Sequence, residues 1–305
     1  TPKPSSAASD VYKRQEHVRQ VLFLCLFFTA LNGHAKSIDL STVGSIYGKD
    51  DRELVTTQST KEIQELSRSV ALIVSTDLLE ENFFKTTIKA QTLQETLQMC
   101  VDERFSNKSA LPGCTGFLIG PDLMATAGHC FQTSEDCMMK KVIFDVDSKK
   151  QTKKGYSVLN SNVFSCQSIV AQSFDGESDF TIIKLDRVPK KRPALKLNLK
   201  NKIADNARVF MIGHPFGLPL MLSKSAKVNR NTSDLTFTAG LDSFEGNSGS
   251  PVFNASTLEV EGILVNGQQD LVLDSKNECY RNLQYEEDKG AEGISRISGL
   301  LPYLH

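Results

Sequence analysis

Three stretches of the 305-residue chain hold side chains that could together perform nucleophilic chemistry. In FEGNSGSPVF (244–253), Ser248 stands among glycines and small polar residues. These are also ordinary turn formers, so the stretch alone allows either a nucleophile or a turn hydroxyl. A serine becomes nucleophilic when a neighbouring base takes its proton, and near neutrality imidazole is the usual base. Beyond residue 35 the histidines are His129, His214 and His305. His129 closes the run LMATAGHC (123–130), where a strand end can aim a ring. His214, in MIGHPFGLPL, reads as a hydrogen-bonded loop residue, and His305 ends the chain. An imidazole base works best when its other nitrogen donates to a buried carboxylate. Asp179 opens the apolar run of ESDFTIIKLD (177–186) and can carry a carboxylate inward, whereas Asp186, Asp175 and Glu177 read as solvated acids.

The elements that must position these groups are short β-type runs: VALIV (70–74), TGFLI (115–119), KVIFDV (141–146), FTIIKL (180–185), ARVFMI (207–212), LTFTA (235–239) and VEGILV (260–265). Alternating apolar and polar residues over such lengths is the pattern of half-buried strands. An all-β sandwich or barrel follows. The stretch 83–99 reads equally as strand or short helix. The basic, proline-bearing VPKKRPALKLN (188–198) separates two groups of strands and predicts a domain division there. The acidic YEEDKGAE (285–292) reads as a solvated loop.

Near the start, Arg19 precedes the apolar run VLFLCLFFTAL (21–31) and a small-residue site at Gly33-His34-Ala35. This is the pattern of a secretory signal, too short for a membrane span. Residues 1–16 read as a non-native leader, 17–35 as the signal and 36–68 as an N-terminal segment. The 270 residues from Lys36 carry a net charge of −3, against a nucleic-acid partner. The expectation is a secreted monomer, free of the membrane after signal removal. Six cysteines remain there, Cys100, Cys114, Cys130, Cys137, Cys166 and Cys279. An even count in an exported chain favours disulfides over a metal site, and no CxxC pair occurs.

Taken together, ATAGHC, SDFTIIKL and GNSGSPVF, in the order His, Asp, Ser, resemble the chymotrypsin-like serine peptidases over about residues 69–297. The resemblance implies two six-stranded antiparallel Greek-key barrels, over 69–190 and 191–305, with the active site between them. It implies Ser248 as nucleophile, His129 as proton shuttle and Asp179 as the residue orienting it, with an oxyanion hole from the N–H groups of Gly246 and Ser248. It also implies a Cys114–Cys130 bridge, and leaves three pairings open for Cys100, Cys137, Cys166 and Cys279. The substrate would be a protein or peptide, with no cofactor and no metal.

The match has departures. Asn247 stands where the digestive members hold an aspartate that pairs with a freed amino terminus, so a different route to the active conformation is expected. GNSGSPVF, GKDDRELV (48–55) and GHPFGLPL (213–220) resemble the bacterial glutamyl endopeptidase branch. That branch carries a pocket histidine where GILVNG (262–267) has Leu264 and Val265. Asp242, six residues before Ser248, matches the acid that receives Arg or Lys in trypsin-like members. Asp242, Val265, Asn266 and Gly267 are therefore the expected substrate-binding residues, with Arg or Lys preferred before the cut. The competing reading of Asp242 is a carboxylate that bonds backbone amides. Competing functions are a catalytically silent binding protein on the same scaffold and a narrow esterase or processing enzyme. Sequons occur at Asn107, Asn231 and Asn254.

Overall fold

The computed structural model describes residues 44–175 and 177–304. The expected leader, the expected signal and His305 lie outside them. Twelve strands build the framework. The first six are β1 (Val70–Ser75), β2 (Cys114–Leu118), β3 (Leu123–Thr126), β4 (Lys140–Ile143), β5 (Val163–Phe174) and β6 (Asp179–Leu185). They close antiparallel in the order β1-β2-β3-β6-β5-β4, with β4 returning to β1. The second six are β7 (Arg208–Gly213), β8 (Met221–Arg230), β9 (Thr236–Ala239), β10 (Pro251–Asn254), β11 (Val260–Asn266) and β12 (Glu292–Arg296). They close in the corresponding order β7-β8-β9-β12-β11-β10, so both barrels repeat one topology. Closure leaves neither barrel with a free edge across these pairings.

Each barrel has its own apolar filling. Ile73, Phe131, Phe144 and Ile183 pack in the first, and Val209, Phe237, Leu241 and Ile294 in the second. A third cluster joins them: Phe117, Phe180 and Ile182 meet Phe210, Ile212, Phe253 and Ile263. Phe210 and Phe253 stack with centroids 4.9 Å apart. This shared core holds the ends of β2, β3 and β6 against the turn before β10.

The strand readings survive with two changes. Over 141–146 only the part to Ile143 is strand, because Asp145 has φ 60° and turns the chain. The ambiguous 83–99 is both: a strand at Lys85–Lys89, then helix α1 (Leu93–Leu97), started by a capping box between Thr92 and Glu95. The run 285–292 is a correction. It is not simply a solvated loop, since Tyr285 stacks on Tyr47 and Glu292 opens β12 at 1% exposure. A strap from Gly44 to Leu54 runs along the second barrel, pairing residues 44–47 with 284–285 and residues 53–54 with β8.

Three disulfides tie the loops: Cys114–Cys130, Cys137–Cys166 and Cys100–Cys279. Of the three pairings left open, the fold selects the one that ties the helix Ser134–Met139 to β5 through Cys137–Cys166 and binds the 98–110 segment to the strand at Cys279–Asn282.

Candidate active site

His129 follows β3 in a single turn of 3₁₀ helix, Gly128–Cys130, and Cys130 is bonded to Cys114 at the start of β2. The imidazole is thus hung from two adjacent strands and one covalent bridge. Its Nδ1 lies 2.9 Å from Oδ2 of Asp179, the first residue of β6. The other carboxylate oxygen accepts the backbone N–H groups of Gly128 and His129. Asp179 therefore grips the turn by its backbone and the ring by its nitrogen, which fixes a ring with Nδ1 as the donor. Behind it, the Asp179 N–H donates to Ser295 Oγ of β12, 3.1 Å away.

Ser248 sits on the turn that leads into β10. Its carbonyl oxygen accepts Thr115 N–H at 2.8 Å and lies 3.8 Å from the bridging sulfur of Cys130. The serine is thereby laid against the same disulfide that holds His129. Among the described residues its hydroxyl has no hydrogen-bond partner, and it opens on a recess. A nucleophile–base contact that tightens only on substrate binding is usual in unliganded enzymes.

Gly246 has φ +92°, and a β-carbon there would stand 2.6 Å from the His214 carbonyl oxygen, so only glycine fits. The preceding carbonyl, of Glu245, accepts Phe216 N–H at 2.5 Å. In a trans peptide the C=O and N–H point oppositely, so this bond turns Gly246 N–H away from Phe216. The Gly246 carbonyl accepts the hydroxyl of Thr115, which in turn accepts His214 N–H. His214 is 1% exposed, with Nδ1 2.8 Å from Leu218 O. Burial pushes its imidazole down to about 4. It is a wall of the nucleophile turn. Asn247, 1% exposed, donates its N–H to Phe244 O and accepts Ser250 N–H, so it closes the turn locally.

The recess beside Ser248 has a volume of about 140 Å³. Asn266 and Gly267 line it, joined by Leu264, Phe244, Asp270 and Glu292. Val265 does not line it and packs instead against the barrel cores. Asp242 is absent from the lining. It is 3% exposed, and its two oxygens accept the N–H groups of Tyr47 (2.8 Å) and Asp51 (3.0 Å) in the strap. Burial raises its carboxyl to about 7. Glu292, overlooked in the sequence, holds the recess wall, because a lone acid in a polar run carries no periodic signal of burial.

Among the described residues, two groups of potential metal ligands lie close together, Cys114/His129/Cys130 and Cys100/Asp274/Cys279. In each, the two sulfurs are bonded to one another and offer no thiolate, so these residues do not fit a metal centre.

Comparison with known proteins agrees with this geometry. The model of the trypsin-like peptidase domain matches residues 114–263, which span His129, Asp179 and Ser248. A Bacillus subtilis (strain 168) protein described as an extracellular metalloprotease is 27% identical over 258 residues, covering 80% of this chain and 76% of its own. Among solved structures, a Glu endopeptidase in complex with MPD superposes with a TM-score of 0.52 at 15% identity, over 85% of this chain and 97% of its own. The Vibrio cholerae VesB protease does so with 0.51 at 14%, over 84% and 66%. At such identities the two structures speak for the fold alone.

Proposed function

The chain is a chymotrypsin-like serine peptidase, and from that premise we propose that it hydrolyses peptide bonds through Ser248, His129 and Asp179 by way of an acyl-enzyme. The observation that carries the reading is the 2.9 Å contact of His129 Nδ1 with Asp179, made beside the turn that bears Ser248.

In the first step Ser248 Oγ attacks the carbonyl carbon while its proton passes to His129 Nε2. The Asp179 carboxylate faces the imidazolium that forms and stabilises it. Negative charge gathers on the former carbonyl oxygen, where the N–H groups of Gly246 and Ser248 receive it. One such donor is worth about 3–4 kcal/mol of barrier. Collapse of the adduct breaks the C–N bond, and the proton held by His129 goes to the leaving amine. Water then gives a proton to His129 and attacks the ester, and collapse of the second adduct breaks the bond to Ser248 Oγ, which takes the proton back from His129 as the acid leaves.

Asn247 is neutral and satisfied within its own turn, so the turn is not set by an ion pair with a freed amino terminus. The strap supports it instead. Asp242 holds the strap backbone, and the Arg52 guanidinium lies 4.1 Å from the Phe244 ring centroid. Three disulfides fit an oxidising compartment, and with the expected signal they support export.

The test is Ser248→Ala. The wild-type protein should cleave casein and be labelled by a fluorophosphonate, and the variant should do neither. Labelling that survives the substitution rejects Ser248 as the nucleophile.

A further inference from the structure

We propose that Glu292 receives the side chain preceding the scissile bond, giving a preference for a cationic residue there, and that Tyr47 of the strap is the residue that positions it. This rests on the peptidase reading and names its substrate class.

The recess at Ser248 is smaller than the roughly 300 Å³ of ordinary small-ligand pockets and suits a single side chain. Glu245, Asp270 and Glu292 border it, and among the described residues no lysine, arginine or histidine does. Glu292 Oε1 is occupied: it accepts the Tyr47 phenol at 2.8 Å and Gln268 N–H at 3.4 Å. Oε2 lies against Gly267, where a β-carbon would stand 2.2 Å from it. The carboxylate fills the space that a side chain at Gly267 would take, so glycine there leaves room for it at the edge of the recess. A buried carboxylate with no cation beside it is costly, and an entering ammonium or guanidinium relieves that cost.

The neighbouring acids are committed elsewhere. Asp242 spends both oxygens on the strap, and Asp270 Oδ2 accepts Glu245 N–H at 2.8 Å. Tyr47 is itself fixed by its N–H on Asp242, by stacking on Tyr285 and by the strand pairing of residues 44–47. It therefore brings a rigid phenol to Glu292. Burial lifts Glu292 to about 7, with Asp270 adding repulsion and Tyr47, Gln268 and Ser243 opposing the rise. Asp270, facing Glu245 and Arg52, rises to about 6. The cationic preference should accordingly strengthen as pH climbs through 7.

The experiment measures kcat/KM on peptides differing only in the residue before the cut, at pH 6 and pH 8.5, beside fluorophosphonate labelling of the same samples. For wild type at pH 8.5, Arg or Lys should exceed Ala by about tenfold or more, the scale of a charge-assisted hydrogen bond, with a smaller ratio at pH 6. Glu292→Gln should bring the ratio near one while Ser248 is still labelled. Tyr47→Phe should move the pH midpoint of the ratio upward, because the lost phenol donor had favoured the ionised carboxylate. A labelled wild type with no cationic preference overturns the proposal, as does a Glu292→Gln protein that keeps the wild-type ratio. The wild-type profile decides even if that variant fails to fold. A protein that is never labelled rejects the peptidase reading itself, and this assignment with it.

Discussion

At residue scale the proposed mechanism depends on one backbone conformation. Gly246 holds φ +92°, with the His214 oxygen occupying the space of a β-carbon, and in that mechanism its N–H faces the reacting carbonyl. Gly246→Ala should therefore lower kcat by about 100- to 1,000-fold, the measured scale for one oxyanion donor, with KM little changed. Steady-state kinetics on a single peptide ester would check it. The His129–Asp179 contact and the turn that bears Ser248 were legible because each residue lies in a distinct local context: a strand end, the head of an apolar run, a glycine-rich turn. Asp242 shows the limit of that reading. Its distance in sequence from Ser248 suggested a pocket acid, but its carboxylate lies on the strap, nearly 200 residues away in sequence. The alternative of bonding backbone amides is the one the fold adopts.

At the scale of elements, β2 and the nucleophile turn are coupled through Thr115. Its N–H donates to Ser248 O, and its hydroxyl bridges His214 N–H and Gly246 O, at 3.0 and 2.9 Å. Thr115→Val keeps the shape and leaves two buried backbone groups unpaired. We expect a loss of about 1–3 kcal/mol per stranded group, read by urea unfolding, together with slower acylation by the fluorophosphonate. Unchanged values for both would mean that the turn is held by other contacts. The Cys114–Cys130 bridge acts on the same pair of elements, closing a 16-residue separation. Replacing both cysteines by alanine should cost about 3 kcal/mol and loosen His129. Strands with sustained apolar character, such as β1 and β6, were legible in the sequence. The long β5, mixed in polarity and mostly half-buried or exposed, was not, because cross-strand pairing with β6 defines it more than its own pattern does.

For the whole molecule, burial of acids makes stability depend on pH in a definite direction. Asp242 is raised to about 7, Glu292 to about 7 and Asp270 to about 6, from ordinary values near 4. Between about pH 4 and 7 the folded chain binds more of these protons than the unfolded one, so their contribution to stability falls as pH rises. His214, lowered to about 4, acts oppositely: as pH falls from 6.5 to 4 the unfolded state gains its proton first and stability is lost. Asp242→Asn should flatten the neutral side of the profile, so that its Tm relative to wild type increases from pH 4.5 to 7.5. A constant difference would contradict the shift. Local order along the chain determined the barrel class, the strand end that carries His129 and the glycine-rich turn that carries Ser248, because strand periodicity and turn chemistry are short-range. Tertiary structure alone decided which acid faces the recess, which cysteines pair beyond Cys114–Cys130, and that a strap near residue 47 braces the pocket. Those are contacts between segments up to 245 residues apart, and only barrel closure brings them together.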